Sequence, residues 1–224
     1  MKYQIEGTPF PVLICTLNAK ETVICETGAM LWMSSNMKMN TGTGGGIGKM
    51  FSRAISGESL FQSSYTAEGG EGLIAFGVNS PGEIIPLEID ASHSVIAQKG
   101  AFLASEETIS SGITFQKKLG AGFFGGEGFI LQKFTGKGHV FLAIDGGMIS
   151  YDLASGEQLI IDTGAFAFAE ETVRVDVQMV KGLGNIIAGG EGMFNTTLIG
   201  PGKVWLQTMP LSTTVQAIAR FLPK

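Results

Sequence analysis

The chain has 224 residues, 44% of them hydrophobic, and a mean hydropathy of +0.27, which excludes a disordered chain and allows a sizeable buried core. Against 20 Asp and Glu stand 15 Lys and Arg, a net charge of −5, and the densest basic run is "QKK" at 116–118, so the phosphate-neutralising stripe that nucleic acid requires is missing. No run reaches the ~18 apolar residues of a spanning helix.

The opening "MKYQIEGTPFPVL" lacks the basic-then-apolar order of a secretory signal, and the expected location is the cytoplasm. "VLICTLNAKETVICET" (12–27) reads as two strands about the turn Asn18–Glu21, which lets Cys15 and Cys25 approach across a hairpin. Their apolar neighbours favour a reduced, buried pair over a bridge. Two cysteines, two histidines and no Cys-x-x-Cys exclude a zinc site. "GTGGGIGKM" (42–50) departs from the Walker pattern at Thr43 and Met50 and is expected to be a loop. The segment 47–56 then places Ile47, Met50, Phe51, Ala54 and Ile55 on one face of a short helix.

Later segments read as short strands rich in Val, Ile, Leu and Phe. "DGG" (145–147) between "HVFLAI" and "MISYDL" predicts a hairpin, and "SGE" (155–157) turns the next pair. "GAGFFG" (120–125) satisfies a dinucleotide fingerprint in letters, but strand rather than helix is expected after it, so no nucleotide site is expected. At the end, "STTVQAIARFL" (212–222) predicts a helix capped by Ser212. Its stripe Val215, Ile218, Ala219 and Leu222 is expected to pack on the body.

Glycine, at 33 residues, is roughly twice its usual share and recurs at fixed spacing. "GGEGFILQKFTGKG" (125–138) has a counterpart "GGEGMFNTTLIGPG" (189–202), an offset of 64, and "QKGAFLASEETI" (98–109) matches "DTGAFAFAEETV" (162–173) at the same offset. A third, weaker set is "ETGAMLWMSSNM" (26–37) and "GESLFQSSYTAEG" (57–69). Glu58, Glu127 and Glu191 correspond, as do Gly69, Gly138 and Gly202. Fixed-period self-similarity points to three tandem units, roughly 12–86, 87–148 and 149–215, within a single all-β domain plus the C-terminal helix. Corners and tight turns explain the glycines without a ligand.

The "GA(F/M)" segments, the repeated "GGEG", the insert "GTGGGIGKMFSRAISGESLF" and "YQIEGTPFPVL" together resemble the altered-inheritance-of-mitochondria family, over essentially the whole chain. The resemblance implies a fold like that of the trp RNA-binding attenuation protein: three short double-stranded β-helix, sandwich-like units about a pseudo-threefold axis. It implies homotrimers forming a nine-unit ring. It carries no catalytic motif and no cofactor, and the namesake's RNA binding does not transfer with the fold.

Three sets of residues stand out. Glu58, Glu127 and Glu191 could form an acidic ring, but no His or Asp recurs with them, and solvating a glycine turn is the reading preferred. Phe123 and Phe124, with Ile186 and Ile187, are paired hydrophobes set between glycines. They point to a shared interior or subunit contact ahead of a membrane surface. The adjacent acids Glu106–Glu107 and Glu170–Glu171 point to opposite strand faces and do not make a catalytic pair. His93 and His139 read as ordinary hydrogen-bonded histidines. The leading expectation is thus a non-enzymatic oligomeric β-ring acting as scaffold or binding module. The alternatives are an enzyme, a hydrolase or isomerase using Glu127 or Glu191 as base, and a peripheral membrane protein.

Overall fold

The computed structural model describes residues 1–40, 62–117, 128–179, 194–219 and 221. The strands before the first gap are β1 (Lys2–Glu6), β2 (Val12–Leu17), β3 (Thr22–Glu26), β4 (Met30–Met33) and β5 (Met37–Met39). Next come β6 (Gln62–Ala67), β7 (Gly72–Gly77), β8 (Gly82–Ile89), β9 (Val95–Gln98), β10 (Phe102–Glu106) and β11 (Ile109–Lys117). The rest are β12 (Phe129–Gly136), β13 (Gly138–Asp145), β14 (Met148–Leu153), β15 (Gln158–Asp162), β16 (Phe166–Glu170), β17 (Arg174–Met179), β18 (Phe194–Ile199) and β19 (Gly202–Gln207). One α-helix, α1 (Leu211–Ala219), follows. The class is all-β. The helix expected at 47–56 lies outside the described residues.

The chain falls into two compact units. One comprises Met1–Ser94, Gly100–Ile113 and Phe134–Ile144; the other comprises Val95–Lys99, Thr114–Lys133 and Asp145–Lys224. The first carries a four-stranded sheet, β1-β2-β7-β4, and a six-stranded sheet, β5-β6-β3-β10-β13-β8. Alternation builds its core: Leu13, Cys15 and Leu17 of β2 point inward, as do Val23 and Cys25 of β3, and they meet Ile74, Phe76 and Phe141. The second unit carries the six-stranded sheet β11-β12-β9-β16-β19-β14 and the three-stranded sheet β15-β18-β17. Its core gathers Phe129, Leu131, Phe166, Val177, Leu198 and Val204.

Three strand pairs share one irregularity. In β4·β7 the partners are Met30↔Phe76, Trp32↔Ala75 and Met33↔Ile74, with one residue bulged out. In β10·β13 they are Phe102↔Leu142, Ala104↔Phe141 and Ser105↔Val140. In β16·β19 they are Phe166↔Leu206, Phe168↔Trp205 and Ala169↔Val204, each 64 residues beyond the last. The same spacing relates Gly138 (φ +144°) and Gly202 (φ +137°). A Cβ at the first would lie 2.5 Å from the Glu106 carboxylate, and at the second 2.5 Å from the Thr172 hydroxyl and 3.2 Å from the Glu170 carboxylate. Both positions require glycine for conformation and for space.

The turns fall where expected, but they do not close hairpins. Asn18–Glu21 reverses the chain, with the Glu21 amide donating to the Asn18 carbonyl at 3.0 Å, yet β2 and β3 belong to different sheets. Ala154–Glu157 repeats this between β14 and β15. The hairpin expected at Asp145–Gly147 is likewise absent, because β13 pairs with β10 while β14 pairs with β19. The chain after β19 takes the bonds a hairpin would have used: the Met209 amide donates to the Asp145 carbonyl at 3.1 Å, and the Gly147 amide to the Thr208 hydroxyl at 2.8 Å.

The C-terminal helix forms, one residue earlier than expected, with the Leu211 amide donating to the Asp145 carboxylate at 2.8 Å. The described part of its stripe, Val215 and Ile218, does not pack back. These two residues are 54% and 56% exposed, and the bond from Leu211 to Asp145 ties down the first turn. No helix among the described residues is long and apolar enough to cross a membrane.

Candidate functional site

The polar clusters of the described residues are structural in geometry. At the start of β13, His139 Nδ1 lies 3.2 Å from Glu106 Oε1, and its ring stacks on Phe141 and meets Tyr3 edge-on. Glu106 sits at the end of β10, so this contact ties two neighbouring strands together. Its partner in spacing, Glu170, instead accepts a 3.0 Å bond from the Lys203 amide, and Glu171 pairs with Lys133. Glu170 and Glu171 therefore serve different contacts; contrary to expectation the second acid of each pair, Glu107 or Glu171, lies in the turn after the strand rather than on its opposite face.

His93 closes the turn Asp90–His93. There, hydrogen bonds from Ser92 and His93 hold the Asp90 carboxyl well below its ordinary range, at about 2. Cys15 and Cys25 are free and buried. Burial first, then nearby acids, pushes both thiols up to about 12, so they remain protonated and unreactive at neutral pH. The buried hydroxyls are satisfied, Thr196 donating to Thr163 at 3.0 Å and Thr163 to the Phe194 carbonyl at 2.9 Å. Glu58, Glu127, Glu191, Phe123, Phe124, Ile186 and Ile187 all lie outside the described residues.

The feature that sequence reasoning missed is a pair of sheet edges. Four sheets present eight edge strands, and an unguarded edge offers free backbone donors and acceptors to another chain. Seven of the eight carry a charge: β1 (Lys2, Glu6), β5 (Lys38), β8 (Glu83, Glu88, with Pro86), β11 (Lys117), β14 (Asp152), β17 (Arg174, Asp176) and, at its last residue alone, β15 (Asp162). Strand β4, "MLWM", has none. Strand β15, "QLIID", has only Asp162, whose carboxylate is engaged by the Gly164 amide at 2.8 Å. Among the described residues each pairs on one side only, β4 with β7 and β15 with β18.

These two strands are also conspicuously apolar. Leu31, Trp32 and Met33 are 53%, 48% and 39% exposed, and Ile160 is 65% exposed. The counterparts of the β4 residues in β10 and β16, namely Leu103, Ala104 and Ser105 and then Ala167, Phe168 and Ala169, are buried, while those of Ile160 are Ile24, half-buried, and Ile96, buried. Covering a half-exposed side chain of this size contributes on the order of 1 kcal/mol. A charge-free apolar run bounded by turns was the signal available in the sequence.

Comparison with known proteins follows this geometry. The family model described as mitochondrial biogenesis AIM24 matches residues 3–209. An uncharacterized protein of Streptococcus pyogenes serotype M6 is 28% identical over 231 residues, covering 100% of this chain and 92% of that protein. A crystal structure of a Streptococcus pyogenes protein, from a structural-genomics programme, superposes with a TM-score of 0.81 at 24% identity, covering 99% of each chain. At that identity the likeness shows the fold.

Proposed function

The chain belongs to the AIM24 family, and from that premise we propose that it acts without chemistry of its own, as a homotrimeric scaffold or binding module built from three sandwich-like units per chain. The single observation that carries this reading is the pair of apolar edges: β4 has no charge and β15 only the terminal Asp162, and both hold large side chains open to solvent, Trp32 and Ile160 among them. Proteins that stay monomeric blunt such edges, and proteins that assemble keep them. The three-unit reading draws support from the bulged register common to β4·β7, β10·β13 and β16·β19.

Two different edges per chain make a heterologous contact, which either closes into a ring or runs on as a filament. The family resemblance favours closure at three copies. Light scattering on the purified full chain tests this reading. The expected mass is three times the 23.6 kDa chain, and a single species of one chain mass at micromolar concentration would overturn it.

A further inference from the structure

We infer that the copies join by antiparallel pairing of β4 in one chain with β15 in the next, in the register Trp32↔Ile161, Met33↔Ile160 and Ser34↔Leu159. This rests on the oligomeric reading above and adds where the copies meet and in what alignment.

The chain already contains this junction twice. Strand β3 pairs with β10 as Cys25↔Ala104, Ile24↔Ser105 and Val23↔Glu106. Strand β9 pairs with β16 as Ala97↔Phe168, Ile96↔Ala169 and Val95↔Glu170. Between the two junctions the first member advances by 72 residues and the second by 64. One more step of 64 for the first member reaches Ile161, Ile160 and Leu159 of β15. One step of 72 backwards for the second reaches Trp32 and Met33 of β4, with Ser34 just beyond.

Each placement is supported inside its own sheet. Strand β15 stands to β18 as β3 stands to β6: Gln158↔Ile199 and Ile161↔Thr196 answer to Thr22↔Thr66 and Cys25↔Ser63. Strand β4 stands to β7 as β10 stands to β13, bulge included. The third junction therefore has one half at each bare edge.

Burial agrees with this assignment. At the two internal junctions Ala104, Ser105, Phe168 and Ala169 are at most 3% exposed, Ile96 is 8% exposed and Ile24 is half-buried. The matched Trp32, Met33 and Ile160 are open to solvent, and a second copy supplies the missing cover in the same alignment. Main-chain bonds would give the affinity and the apolar pairs the register.

The test uses two single variants of the full chain, Met33→Cys and Ile160→Cys, each made alone and co-expressed with the other. The native thiols are buried and stay out of the exchange. The expected result on mild oxidation is a covalent dimer in the co-expressed sample and none in either variant alone. Dimers of Met33→Cys alone would mean that β4 meets β4, and would overturn the pairing. A particle of trimer mass that gives no cross-link in the mixed sample would also overturn it, while leaving the oligomeric reading intact. A chain that light scattering finds monomeric would remove both.

Discussion

Replacing Gly136 by alanine is a direct probe of the idea that the glycine excess serves backbone geometry. Gly136 ends β12 at φ +117°, and a Cβ there would lie 2.3 Å from the Thr108 carbonyl oxygen and 3.4 Å from the Ile109 Cα. Those are backbone atoms of the strand connection that leads into β11, so no side chain can swing aside. Left-handed strain in a non-glycine residue costs roughly 1–2 kcal/mol, and forcing an extra carbon into a packed site costs about 1–3 kcal/mol more. The sum is about 4 kcal/mol. For a chain of this size each kcal/mol moves the melting temperature by roughly 3 °C, so Gly136→Ala should melt about 12 °C below the parent. Gly70→Ala is the control, because a Cβ there meets nothing within 4 Å; its melting point should move by less than about 2 °C. Circular dichroism against temperature reads both. Equal melting points for the two variants would refute the steric argument.

Raising the pH should destabilise the fold through the two thiols. Their folded pKa values lie near 12 against an ordinary 9, so the contribution is complete below pH 9 and falls as pH rises towards 12, by up to about 1.4 kcal/mol per pH unit for each thiol. Urea midpoints measured between pH 8 and 11 check this, and Cys15→Ala should flatten the slope by about half. Phe129→Ala should cost about 3–5 kcal/mol, since Phe129 is fully buried with Phe166 and Phe115 edge-on at 6.0 and 6.2 Å. An unchanged urea midpoint in that variant would contradict the packing described.

Local features were legible in the sequence, and their pairings were not. Alternation in "VLICTL" and "TVICE" gave β2 and β3, and Asn18–Glu21 gave the turn. A turn residue reports that the chain reverses, but not which strand will hydrogen-bond to the next. Here the reversals lead into a different sheet, so the partners of β3 are β6 and β10, both far along the chain. The C-terminal helix was legible from its apolar spacing. Its exposure was not, because spacing marks a face without saying what covers it. The bare edges escaped notice for a related reason. "GAMLWM" aligns with "GAFLAS" and "GAFAFA", and what sets it apart in the fold is that, among the described residues, β4 has a strand on one side only.

The most direct measurement is the solution mass of the Ile160→Lys variant beside that of the parent chain. A lysine at this 65% exposed position places a charge in the middle of β15, whose one charged residue is Asp162 at its end. The variant should keep the parent's circular dichroism spectrum and fall to the 23.6 kDa mass of one chain. If it retains the parent's assembled mass, the edges are not where the copies meet.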